Sequence, residues 1–151
     1  MAETLLGYQT MARQYSVTQT TSITERTLTS IAMSNHGPFT LTACTGFDNA
    51  YKYVLSNLSL LGRFEELFEI MRLVRNTIHS NGVFSPTTGE DTAKRYKEKE
   101  CIFQVGQRLG WYDNDMMSSM FEWISDAMWE IVTSPEVSSI PYTPVFQLCA
   151  K

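Results

Sequence analysis

The sequence predicts a mostly α-helical bundle of four to five helices, with a small β-hairpin set before the last long helix. Three observations predict it. Apolar residues recur every three or four positions from Tyr51 to Ile78, and again from Met117 to Val132. Between those stretches lies a short alternating run, Tyr96, Cys101, Phe103 and Val105, broken by the charged Lys97-Glu98-Lys99. Each regular stretch is bounded by Gly, Pro or Asn/Asp punctuation. The chain has 151 residues, the size of one domain, and residues 1–151 are read as one unit. With 43% hydrophobic residues it is built to bury a core.

The stretch from Tyr15 to Asn35 is rich in Ser and Thr, which are mediocre helix formers. Val17, Ile23, Leu28, Ile31 and Ala32 still recur at helical spacings, so a helix here must lean on tertiary packing. His36-Gly37-Pro38 stops it. His36 is read as a loop or capping residue, and Phe39 to Gly46 as a connector without a readable conformation. Asp48 or Asn49 is expected to cap a second helix carrying Tyr51, Val54, Leu55, Leu58 and Leu61. Gly62 interrupts that stripe. A third helix follows, with Glu65, Glu66 and Glu69 near its start and Phe64, Leu67, Phe68, Met71, Val74 and Ile78 on its apolar face. Arg72, Arg75 and His79 gather towards its far end, and Asn81-Gly82 closes it. Turn-like residues from Ser85 to Glu90 lead into the hairpin, which must pack on the helices because a lone hairpin is marginal in water. Asp113, Asn114 and Asp115 offer caps for the last helix. Its expected buried face is Met117, Met120, Phe121, Ile124, Met128, Ile131 and Val132, with Trp123 and Trp129 off the stripe. Ser134-Pro135 ends it, and the tail from Ser139 to Lys151 reads as extended.

Several functions are excluded or disfavoured. A net charge of -4 does not suit a protein that coats DNA, which needs a broad cationic surface. No run of about 18 apolar residues spans a membrane. The N-terminal MAETLLGYQTMARQY lacks a charged region followed by an apolar one, so no secretory leader is expected. Cys44, Cys101 and Cys149 are odd in number and widely spaced, which fits free thiols in a cytoplasmic protein and no zinc site. Cys101, alternating inward with Phe103, is read as packed.

The residues with the most chemistry are Arg75, Asn76 and His79. Arg75 and His79 are four apart and share a helix face, and Asn76 is three residues from His79. A guanidinium offers phosphate a rigid fork of donors, and an imidazole moves protons near neutrality. No acidic metal cluster accompanies them, so the chemistry would need no metal or other cofactor. The same residues also satisfy plain electrostatics, since cations near a helix C-terminus are worth about 0.3–1 kcal/mol each.

RNTIHSNGVFSP, from Arg75 to Pro86, resembles the helix-end motif of HEPN-domain proteins. Together with RYKEKECIFQVGQRL, the last helix and IVTSPEVSSIPYTP, it is similar to a bacterial and plasmid-borne HEPN-like subfamily whose motif reads Arg-Asn-x-x-His-x-Asn-Gly. The resemblance covers about residues 50 to 144. It implies a helical bundle that pairs its motif helices across a homodimer and acts as a metal-independent endoribonuclease, as a toxin or phage-defence effector. Carried over, Arg75 grips the scissile phosphate, Asn76 orients the phosphate or His79, and His79 serves as general acid and base. Three residues separate Arg75 from His79, where the family's catalytic pattern has four to six. The alternative the family allows is a non-catalytic dimeric module that binds a nucleotide, RNA or protein. An antitoxin or a nucleotidyltransferase is the partner such a protein would have. Arg72, Lys94, Arg95 and Lys97 are candidates to touch RNA phosphates. Glu98 and Glu100, interleaved among the hairpin cations, also fit a charged strand edge that blocks further pairing.

Overall fold

The computed structural model describes residues 2–110 and 112–141, and side chains from residue 10 onward. Among these residues the chain forms five helices and one two-stranded antiparallel sheet: α1 (Ala2–Ala32), α2 (Phe47–Asn57), α3 (Leu61–His79), β1 (Thr92–Tyr96), β2 (Lys99–Phe103), α4 (Asn114–Thr133) and α5 (Pro135–Ser138). The mostly helical architecture and the hairpin ahead of the last long helix are as the sequence predicts. The tail beyond residue 141 lies outside the described residues.

α1 is 31 residues long, and its weak helix formers are accommodated in two ways. Val17, Thr21, Thr24, Leu28 and Ile31 are buried at steps of three or four. Hydroxyls bond back to the preceding turn: Thr21 Oγ1 donates to the Val17 carbonyl at 2.8 Å and Thr18 Oγ1 to Gln14 at 2.9 Å. The buried Thr21 hydroxyl is therefore paired within its own helix. The helix ends where Asn35 and Gly37 take positive φ. In the connector, Phe39 is fully buried and Leu41 N–H donates to the Ala32 carbonyl.

The second helix does not use the expected caps. Gly46, at φ 83°, occupies the capping position; Asp48 lies in the first turn, and the Asn49 amide donates back to the Thr45 carbonyl. A positive φ is open to Gly at little strain, and that lets the chain turn sharply into α2. The break between α2 and α3 falls at Leu58–Leu60, with Ser59 at φ 58°, and Gly62 already belongs to α3. No acidic residue occupies the first turn of α3, so Glu65, Glu66 and Glu69 sit further along than the sequence suggested. Asn81 and Gly82 close α3 as expected, both with positive φ, and Gly82 N–H caps the Thr77 carbonyl. Tyr51 stacks on Phe68 at 5.5 Å, joining α2 to α3 in the core.

The hairpin turns at Lys97-Glu98, with Tyr96 opposite Lys99. Cys101 and Phe103 are fully buried, whereas Val105 lies past β2 and is exposed. Tyr96 packs on Trp123 at 5.3 Å between centroids, and the Lys97 ammonium sits over both rings. This contact explains why the buried face of α4 is rotated from expectation. Met116, Met120, Trp123, Ile124, Ala127 and Ile131 face the core, Met117, Phe121 and Met128 are half-buried, and Val132 is exposed. Trp129 is 70% exposed. Asp113 caps α4 by accepting from Met116 N–H at 2.9 Å. Ser134 ends α4 and immediately caps the single turn of α5, with Pro135 in its first turn.

Candidate functional site

The last two turns of α3 bring Arg72, Arg75, Asn76 and His79 to one side of the helix, as the spacing of three and four requires. Their surroundings differ. His79 and Asn76 are exposed, and neither side chain makes a hydrogen bond or ion pair among the described residues. Arg75 is held: its Nη1 donates to Glu25 Oε2 of α1 at 2.9 Å, with both side chains about a quarter exposed (27% and 24%). Its Nε is buried with no hydrogen-bond partner among the described residues. The carbonyl end of a helix repels anions, so any phosphate here would have to be held by these side chains.

Arg72, one turn earlier, belongs to a network that sequence reasoning missed. Its Nη2 donates to Glu69 Oε2 at 2.9 Å, and its Nε lies 3.8 Å from Asp48 Oδ1. The Tyr51 hydroxyl meets Asp48 Oδ1 at 2.9 Å and also Glu69 Oε1, and Lys52 pairs with Asp48 at 3.0 Å. Burial pushes the Glu69 carboxyl up, but hydrogen bonds from Arg72 and Tyr51 and the charges of Arg72 and Lys94 outweigh it, leaving its pKa below the usual range. Asp48 is likewise lowered: burial opposes, but Lys52, Tyr51 and Arg72 prevail. The Tyr51 phenol is pushed far up, first by burial and then by its two carboxylate neighbours. The Arg72 guanidinium, despite burial, is raised by Glu69 and Asp48. The i,i+3 and i,i+4 spacings of Asp48, Tyr51 and Lys52 and of Glu69 and Arg72 were visible in the sequence; their meeting across α2 and α3 was not.

A cleft of about 410 Å³ runs along α3 between Glu69, Arg72 and Asn76 on one side and Ser85, Thr87 and Thr88 on the other. Leu73, Phe84 and Thr92 also line it. The opposite wall is pinned to the exit of the hairpin: Phe84 N–H donates to Gln107, Gly106 N–H to Phe84, and Asp91 accepts from Val105 N–H. Asn76 therefore belongs both to this cleft and to the exposed end of the helix. A smaller hollow of about 190 Å³ lies between Gln14, Asn81, Gly82 and Arg108.

The hairpin cations Lys94, Arg95 and Lys97 do not line the cleft. Lys94 reaches Glu66 at 3.5 Å, Arg95 is exposed and lies 3.8 Å from Glu100, and Lys97 sits over Trp123. The structure thus groups Arg72, Arg75, Asn76 and His79 and leaves Lys94, Arg95 and Lys97 distributed along the hairpin. Among the described residues, no group of three or more His, Cys, Asp or Glu is placed to hold a metal ion, and no helix is long and apolar enough to cross a membrane. Compared with protein-family models, curated proteins and solved structures, the chain has no match.

Proposed function

We propose that this chain is a HEPN-like, metal-independent endoribonuclease, acting as a cytoplasmic homodimer in a toxin or phage-defence setting, with an antitoxin or a nucleotidyltransferase as partner. The observation that carries the reading is the exposure of His79 and Asn76 at the open end of α3, one turn from each other and beside Arg75. In this reading Arg75 holds the scissile phosphate and Asn76 orients it. His79 accepts the proton of the ribose 2′-hydroxyl as that oxygen attacks phosphorus. The bond from phosphorus to the 5′-oxygen breaks, the 5′-oxygen takes a proton from the imidazolium of the second copy, and a 2′,3′-cyclic phosphate remains. RNA cleavage in the presence of a chelator, by wild type, His79→Ala and Arg75→Ala, tests it. Loss of cleavage in both variants is expected, and equal cleavage by all three would remove these residues from the mechanism.

The Glu25–Arg75 ion pair favours a second reading, a non-catalytic dimeric module that binds a nucleotide, RNA or protein. There Arg75 serves mainly to fasten α1 to α3. Wild type would then dimerise without cleaving RNA, and Arg75→Ala would lower stability.

A further inference from the structure

We propose that the cleft between α3 and residues 84–92 is a nucleobase pocket, which seats the base next to the phosphate held at Arg75. The inference rests on the ribonuclease reading for its ligand class. The charged residues lining the cleft are Glu69 and Arg72, and they are paired with each other at 2.9 Å. Asp48 and Tyr51 hold the same pair from behind. Charge at the wall is therefore balanced, and the cleft offers an anion little net attraction. It is suited instead to a neutral group with apolar faces and a polar edge.

The lining matches such a group. Leu73, Phe84 and Pro86 supply an apolar floor. Asn76, Ser85, Thr87 and Thr88 surround it with an amide and hydroxyls that have no hydrogen-bond partner among the described residues. An amide can both donate to and accept from a base edge, and each hydroxyl can do either. The wall is preorganised by the hydrogen bonds that tie Phe84 and Asp91 to the residues after β2, so little ordering is left to accompany binding. Asn76 connects the two places. It lines the cleft and stands one helical turn before His79, so a base seated in the cleft has its sugar and phosphate directed to the end of α3.

The test uses the full chain, wild type and His79→Ala, titrated with adenosine, guanosine, cytidine, uridine and, separately, inorganic phosphate, followed by amide chemical shifts. At least one nucleoside is expected to bind both proteins, to shift the amides of residues 84–88, and to bind equally at low and high salt, because no charge is neutralised. Phosphate is expected not to compete. Ser85→Trp and Thr88→Trp place a large ring at exposed positions of the cleft mouth and are expected to weaken nucleoside binding about tenfold or more with an unchanged circular dichroism spectrum. Absence of nucleoside binding, full binding in both Trp variants, or competition by phosphate would overturn the pocket. The two readings fail separately: nucleoside binding without RNA cleavage removes the nuclease and keeps the pocket, and cleavage without nucleoside binding does the reverse.

Discussion

Replacing Tyr51 by Phe removes one oxygen from the centre of the α2–α3 interface and leaves the ring in place. Tyr51 is fully buried, and the Phe ring would keep the stack on Phe68. The lost hydroxyl serves two carboxylates with a single hydrogen. Asp48 is 44% exposed and replaces the bond with water; Glu69 is 12% exposed and cannot do so readily. Hydrogen bonds to charged groups contribute about 1.5–3 kcal/mol net, so the loss should be about 2 kcal/mol, set mainly by Glu69. For a chain of this size that is roughly a 4–8 °C fall in Tm, or a lower urea midpoint with an unchanged slope. Urea unfolding of wild type, Tyr51→Phe, Glu69→Gln and the double variant measures both the loss and the coupling. The two single effects should be non-additive, because Tyr51→Phe removes the bond that Glu69→Gln leaves with an uncharged acceptor. A loss below about 0.5 kcal/mol, the level of an ordinary surface substitution, would refute the account of a hydroxyl that satisfies a buried carboxylate.

The same network sets the pH dependence. Glu69 and Asp48 have depressed pKa values, so their contribution is full above their ordinary values of 4.5 and 3.8 and is lost as pH falls through the lower folded values; Glu69→Gln should flatten that acid limb in urea unfolding. Tyr51 is raised, so stability should decline as pH climbs past its ordinary value of 10.0, and Tyr51→Phe should remove its share of the decline. Asp113→Ala should lower stability by about 1 kcal/mol through loss of the α4 cap, read by the urea midpoint. Burial pushes the Cys101 thiol up to about 11, whereas Cys44 is half-exposed. Iodoacetamide followed by peptide mass spectrometry should label Cys44 in the native protein and Cys101 only after unfolding, and equal rates would contradict the packing of β2 on the helices.

Local signals accounted for most of the elements. The stripe of α3, its Asn81-Gly82 stop and the Asp113 cap depend on neighbours within one turn, so the sequence displays them directly. α1 was legible only in part, since its Ser and Thr content argues against a helix until the hydroxyls are seen to bond to the preceding turn. The rotation of α4 was not legible, because it is imposed by Tyr96 and Lys97, which reach Trp123 from another element. The candidate site divides in the same way. The grouping of Arg75, Asn76 and His79 follows from helical spacing. Glu25, fifty positions from Arg75, and Glu69, eighteen from Tyr51, become partners only once the bundle closes.

The bond between Glu25 and Arg75 makes the long first helix a competitor for whatever comes to the motif. Competition of this kind is reciprocal in free energy. An anion that captures the guanidinium weakens the grip on α1, and a change that detaches α1 leaves the guanidinium readier for the anion by the same factor. Amide exchange along residues 18–32 would then act as a remote gauge of occupancy at Arg75, speeding up as the seat is filled.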